Sequence, residues 1–188
     1  FSEEEIKARI ASNFQVMGQE AEKTPGIAFL NLQGTISQRT TWMSEVSGGV
    51  STEMFGKAFD KAMADDSIKR IVINVDSPGG SVTGVEELAG KIFAARGRKP
   101  ITAFASGGQV ASAAYWIATA ADELIATPSC TAIGSIGVVQ VHQVRSDSDT
   151  TTTVIRSTPN KADMNSYEQL SASAKKNVTD KIMSIHNV

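Results

Sequence analysis

The 188-residue chain is short of several things, and each shortage closes a door. With one cysteine, Cys130, no internal disulfide can form and no CxxC pair exists to hold zinc, which fits a reducing compartment. Cys130 reads as a packing residue. No run approaches the ~20 apolar residues that a bilayer-crossing helix needs, and no basic-then-apolar leader is visible, so no membrane span is expected in the chain. Blocks of one charge are missing too: 18 Lys and Arg stand against 20 Asp and Glu, and the lysines are scattered among carboxylates. That excludes the basic footprint of a nucleic-acid binder and leaves small molecules or polypeptides as partners. The chain begins at Phe1 rather than Met and stops at His186-Asn187-Val188 inside a helical pattern, so trimming at one or both ends is expected.

What is present is a chain with 41% hydrophobic residues, enough for one sizeable core. Ser2-Glu3-Glu4-Glu5 followed by Ile6, Ile10, Phe14 and Met17 predicts an amphipathic N-terminal helix over 1–23, whose apolar face must pack on something. Residues 24–188 then read as one domain. IAFLNLQGTIS is extended with a turn or bulge at Gly34, and Gln38 to Val50 reads as a loop. Ser51 or Thr52 caps a helix whose Met54, Phe55, Ala58, Phe59, Ala62 and Met63 form one apolar face. Ile71 to Val75 is a β-branched strand, Val82 to Arg96 a helix, Ile101 to Ala105 a strand, Ala111 to Ala121 an Ala-rich helix and Glu123 to Ala126 a strand. Strands alternating with helices predict an α/β fold with a mostly parallel sheet covered on both faces. Ser146 to Thr153, SDSDTTTT, reads as an exposed loop.

In such sheets ligands meet the carboxyl ends of the strands, which directs attention to two segments. Asp76-Ser77-Pro78-Gly79-Gly80-Ser81 follows the strand Ile71 to Val75, and its paired glycines let the backbone turn tightly and present amides as an anion cradle. Ser106-Gly107-Gly108-Gln109-Val110-Ala111-Ser112 follows the strand Ile101 to Ala105 and brings Ser112 to a helix start, where free N–H groups and the helix dipole favour a developing negative charge. Taken singly, Pro-Gly-Gly is a common turn, and a serine at a helix start is commonly a cap.

The blocks DSPGG, ASAAYWIATAAD, ATP and IGSIGVV, in that order, resemble the signal peptide peptidase A family of serine peptidases, of Clp protease/crotonase-like fold, and are especially similar to its bacteriophage head-assembly versions. The resemblance runs from about Gly26 to Leu170. It implies an α/β sheet built from repeated ββα units with helices on both faces. It also implies a nucleophile at Ser112 rather than Ser106, and a lysine base after the GSIGV block and a further strand, which falls on Lys161 in Val154-Ile155-Arg156-Ser157-Thr158-Pro159-Asn160-Lys161. To act as a base that lysine must lose its proton, which burial would favour. Without the resemblance Lys161 would read as a solvated loop lysine. His142 is the competing base, since Clp-type proteases use Ser-His-Asp; His186 reads as incidental. The implied chemistry is acyl transfer, with Gly79 or Gly80 and Ala113 as oxyanion donors and no metal or organic cofactor. The implied substrate is a polypeptide with small or apolar side chains, lying extended beside the Gly79-Gly80 strand end: scaffold, portal or capsid protein, or the chain itself. A homo-oligomer is implied, as is phage assembly in the host cytoplasm; the alternative setting is a bacterial membrane-associated signal peptide peptidase with its anchor outside this sequence. Two other readings stay open, a crotonase-type hydratase or isomerase working through Glu86 and Glu87, and an inactive scaffold module of the same fold. The link between Val141 and Val154 is shorter and more polar than the family's.

Overall fold

The computed structural model describes residues 26–39, 48–105, 107–146 and 149–186. The helix expected over 1–23 and the rival serine, Ser106, lie outside the described residues. The chain divides into two compact units, Phe1–Ile136 and Gly137–Val188.

The first unit is built on β1 (Ile27–Gln33), β4 (Arg70–Asp76), β5 (Ile101–Ala105) and β7 (Glu123–Ala126), which form a parallel sheet in the order β1-β4-β5-β7. Parallel neighbours cannot be joined by tight hairpins, so helices carry the crossovers: α1 (Thr52–Ala64) leads into β4, α2 (Val85–Ala94) connects β4 to β5, and α3 (Ala113–Thr119) precedes β7. The α/β class with a parallel sheet is therefore the one its alternating sequence pattern requires.

The periods that predict these elements also set their burial. In β4 the alternate residues Ile71, Ile73 and Val75 are fully buried, as are Ile101, Ala103 and Ala105 in β5. They meet Phe55, Phe59, Ala62 and Met63 of α1, Val85, Leu88, Ala89 and Ile92 of α2, and Ala113, Ala114, Ile117 and Ala118 of α3 in one hydrophobic core. Each residue of Ile or Leu size buried there contributes about 1.5–3 kcal/mol. Ser51 begins α1 as expected, its Oγ accepting from the Met54 N–H at 3.3 Å. The far end of α1 is closed by Lys99, whose Nζ donates to the carbonyls of Ala62 at 3.0 Å and Asp65 at 2.7 Å.

Short strands escape the sequence periods. Here β2 (Ile36–Ser37) pairs with β3 (Val50–Ser51), so the segment read as a loop ends in a strand, and β6 (Gln109–Ala111) pairs with β8 (Ala132–Gly134). Both pairs are parallel.

In the second unit β9 (Val139–Ser146) and β10 (Asp149–Arg156) form an antiparallel hairpin in which His142 faces Thr153 and Val141 faces Val154. This corrects the reading of Ser146 to Thr153 as a loop: its threonines are β-branched and sit well on a pleated strand, even though nothing apolar marks them as one. The unit closes with α4 (Ala172–His186). Among the described residues no helix is long and apolar enough to cross a membrane.

Candidate active site

The turn after β4 is tied down on every side. Asp76 Oδ1 accepts from the Gln109 N–H at 3.0 Å, and the Asp76 carbonyl accepts from the Gly34 N–H at 2.9 Å. Ser77 is fully buried; its N–H donates to the Gln109 carbonyl at 2.7 Å, and its own carbonyl accepts from the Ala111 N–H at 3.1 Å. Beyond it the chain crosses to the other neighbour: Ile36 N–H donates to the Gly79 carbonyl and Ser81 N–H to the Ile36 carbonyl, both at 2.9 Å. The segment thus runs between β2 on one edge and β6 on the other.

Both glycines are required there. Gly79 has φ of 94°, and a Cβ on it would lie 2.8 Å from the Ala111 carbonyl oxygen, 2.8 Å from Ser112 Cβ and 3.0 Å from the Ala113 nitrogen. Those approaches are closer than a side chain tolerates. On Gly80 a Cβ would run into the backbone of Ile36. The glycine pair read from the sequence is therefore packed directly against the start of α3, where Ser112 and Ala113 stand.

Ser112 is held in an unusual backbone conformation, φ 56° and ψ −120°, sparsely populated by residues other than glycine. Its N–H donates to the Gly134 carbonyl at 2.8 Å and its carbonyl accepts from the Trp116 N–H at 3.0 Å, so β8 on one side and the first turn of α3 on the other impose the angle. The side chain makes no capping hydrogen bond to the helix, so the hydroxyl is not the N-cap that a serine in this position commonly is. Such strain costs on the order of 1–3 kcal/mol and clusters where a side chain must be presented in one direction.

The second unit carries both residues read as bases. Lys161 is buried, 8% exposed, in the turn after β10, with its N–H bonded to the Thr158 carbonyl at 3.1 Å. Its stem passes Gly137, whose φ is 127° and where a Cβ would lie 3.6 Å from the Lys161 Cδ. Burial alone pushes the Lys161 ammonium below its ordinary pKa. The turn is braced by charge. Glu168 pairs with Arg156 and accepts from Asn165 Nδ2 at 2.9 Å, and Asn165 also donates to the Ala162 carbonyl at 2.9 Å. Asp163 accepts from Ser171 at 2.5 Å and Ser173 at 3.0 Å, which holds its carboxyl below the usual range; bonds from Asn165 and Arg156 do the same for Glu168. His142, by contrast, sits exposed on the hairpin strand β9. Glu86 and Glu87 are exposed on the first turn of α2.

Of the residues singled out by sequence, Gly79, Ser112 and Ala113 are brought together in the first unit, with Gly80 next in the turn, while Lys161 and His142 belong to the second. Ser77, buried and hydrogen-bonded within the turn, was not singled out by the sequence. Its only signal is its place inside DSPGG, because nothing in a linear pattern tells a buried serine from an exposed turn serine.

Comparison with known proteins finds the chain similar to peptidases. Residues 94–188, about half of the chain, match the family model described as Peptidase family S49. The chain is 30% identical over 161 residues to the head-tail preconnector protein GP5 of Enterobacteria phage P21, covering 84% of this chain and 32% of that protein. It is 31% identical over 166 residues to capsid assembly protease C of Escherichia phage lambda, covering 86% and 36% respectively. Against protease 4 of Salmonella typhi the identity is 38% over 97 residues, covering 52% of this chain and 16% of that one. The chain thus spans about a third of the length of the two phage relatives and less of protease 4.

Proposed function

Because the chain belongs to peptidase family S49, we propose that it is a serine endopeptidase in which Ser112 is the nucleophile and Lys161 the general base. The observation that carries this is Ser112 itself: a serine held at positive φ, its hydroxyl spared from capping, packed on a glycine turn at the mouth of a helix. Ser112 Oγ attacks the peptide carbonyl carbon while neutral Lys161 Nζ takes its proton. The carbonyl oxygen gains the negative charge and is held by amides of the Gly79-Gly80 turn and of Ala113. Collapse breaks the C–N bond, and Lys161 returns the proton to the departing amine. Water then attacks the acyl-enzyme by the same route and frees Ser112.

A serine hydroxyl is a weak nucleophile at neutral pH, so the base must itself be uncharged there. The burial that lowers the pKa of Lys161 acts in that direction, and the exposed His142 is the weaker candidate. The likeness to a head-tail preconnector protein and a capsid assembly protease supports phage-head polypeptides as substrates, self-cleavage among them, and phage assembly in the host cytoplasm as the setting.

The test is labelling with a fluorophosphonate, read by mass spectrometry of the modified peptide. Labelling is expected on Ser112, lost in Ser112→Ala and reduced at least about 100-fold in rate in Lys161→Ala, in line with the weight of a general base. A folded protein that stays unlabelled overturns the reading and leaves an inactive module of the same family, and one that carries its label elsewhere overturns Ser112 as the nucleophile.

A further inference from the structure

We propose that Ser77 is a positioning residue that engages the Gly79 amide and fixes the glycine turn against Ser112; this rests on the peptidase reading above, with Gly80 and Ala113 as its oxyanion donors.

Ser77 has no exposed surface, and its hydroxyl is committed twice. As a donor it bonds the Gly34 carbonyl at 2.6 Å; as an acceptor it takes the Gly79 N–H at 3.1 Å. A hydroxyl has one proton to give, and with that proton fixed on Gly34 its oxygen is left to accept from Gly79. The nearer glycine of the pair, although it touches Ser112, therefore has its amide engaged within the turn.

Gly80 differs. Its neighbours Gly79 and Ser81 spend their backbone groups on Ile36, and across the trans Gly79–Gly80 peptide the N–H points opposite to the carbonyl that Ile36 holds, so the Gly80 N–H faces away from β2. That is the edge on which Ser77 meets Gln109 and Ala111, immediately before Ser112. Gly80 is exposed, and among the described residues nothing accepts its amide hydrogen. Ala113, the first residue of α3, likewise donates to no described acceptor, as expected for the first turn of a helix. Two unspent amides flank the serine, and a third beside them is occupied by Ser77.

The same hydroxyl fixes where the unspent amide lies. Through its side chain Ser77 joins the Gly34 turn to Gly79, and through its backbone it joins both to β6, whose last residue precedes Ser112. Loss of the hydroxyl would free the Gly79 N–H and let the turn shift relative to Ser112. Oxyanion donors act over a few tenths of an ångström, so the effect should fall on the transition state rather than on substrate binding.

The experiment joins spectroscopy of the unaltered chain to kinetics of two variants. In the wild-type protein, a peptidyl aldehyde ending in alanine is added and amide 1H–15N shifts are followed as the hemiacetal forms on Ser112. Gly80 and Ala113 are expected to move downfield, with Gly79 shifting little. Ser77→Ala is expected to lower kcat on an alanine-rich fluorogenic peptide by roughly 10- to 100-fold with KM changed less than about threefold, and to weaken aldehyde binding by the same factor as kcat/KM. Ser77→Thr, which keeps the hydroxyl, should restore most of the loss. A downfield shift at Gly79 in place of Gly80 overturns the proposal even if Ser77→Ala does not fold. So does a folded Ser77→Ala with unchanged kcat, or one whose loss lies in KM. If no adduct forms on Ser112 at all, the peptidase reading itself fails, an outcome separate from any misassignment of amides.

Discussion

Lys161 is buried in a turn that a sequence would assign to the surface, and its titration follows from that. Its pKa in the folded chain lies below the value of about 10.4 that it takes in the unfolded one, with desolvation as the cause. Between the two values the unfolded chain binds the proton and the folded chain does not. The burial penalty on stability is therefore greatest below the folded pKa and fades as pH rises towards the unfolded value. With Lys161 as the proposed base, activity should follow the same ionisation: kcat/KM is expected to climb with pH through the lowered pKa of Lys161 and then level off. A pH–rate profile checks this, and an acid limb that survives in Lys161→Ala but disappears in His142→Ala would transfer the role of base to the histidine. At this scale the place of Ser112 ahead of an Ala-rich helix was legible in the string of letters, and its candidacy as nucleophile rests on the resemblance of the blocks around it. Its positive φ was not legible, since only its bonds to β8 and to Trp116 impose it.

At the scale of elements, α3 is the piece on which the site depends and the one least able to stand alone. Its seven residues are too few for a stable helix in water. Its alanines bury only small surfaces, though they let it approach the sheet closely. Arg96 compensates at its C-terminal end: Nε donates to the Ala120 carbonyl at 2.8 Å, and Nη2 donates to those of Thr119, also at 2.8 Å, and Ala121. The guanidinium lies over the Phe93 ring of α2, 4.5 Å from its centre. A planar fork with several donors suits converging carbonyls in a way that an ammonium does not. Arg96→Ala should therefore cost about 2 kcal/mol by urea denaturation, and Arg96→Lys should recover only part of it. An unchanged midpoint would show that α3 is held by its apolar contacts alone. Elements with a clear period, α1, β4 and β5, were read within a residue or two of their ends, whereas β6 and β8, three residues each, are too short to show a period.

At the scale of the whole molecule the two units differ in what holds them. The buried apolar residues gather almost entirely in the first; in the second, Ala174 and Lys161 are the buried side chains among the described residues. The second is knit instead by the β9–β10 ladder and by the Arg156–Glu168 and Asp163–Ser171 contacts. Amide hydrogen exchange should show this directly, with the slowest amides in β1, β4 and β5 and distinctly faster exchange across 139–156, since protection follows buried contact. Equal protection in the hairpin would contradict it. The order of apolar and polar residues by itself determined the α/β class, the strand–helix alternation and the two loops that carry the candidate chemistry, because burial is periodic and period is written in sequence. Only tertiary structure decided which glycine presses on Ser112, that Ser77 is buried with its hydroxyl spent on Gly34 and Gly79, that Lys161 leaves water, and that a run of threonines forms a strand. Each of these depends on what residues distant in the chain bring alongside, and no local pattern records that.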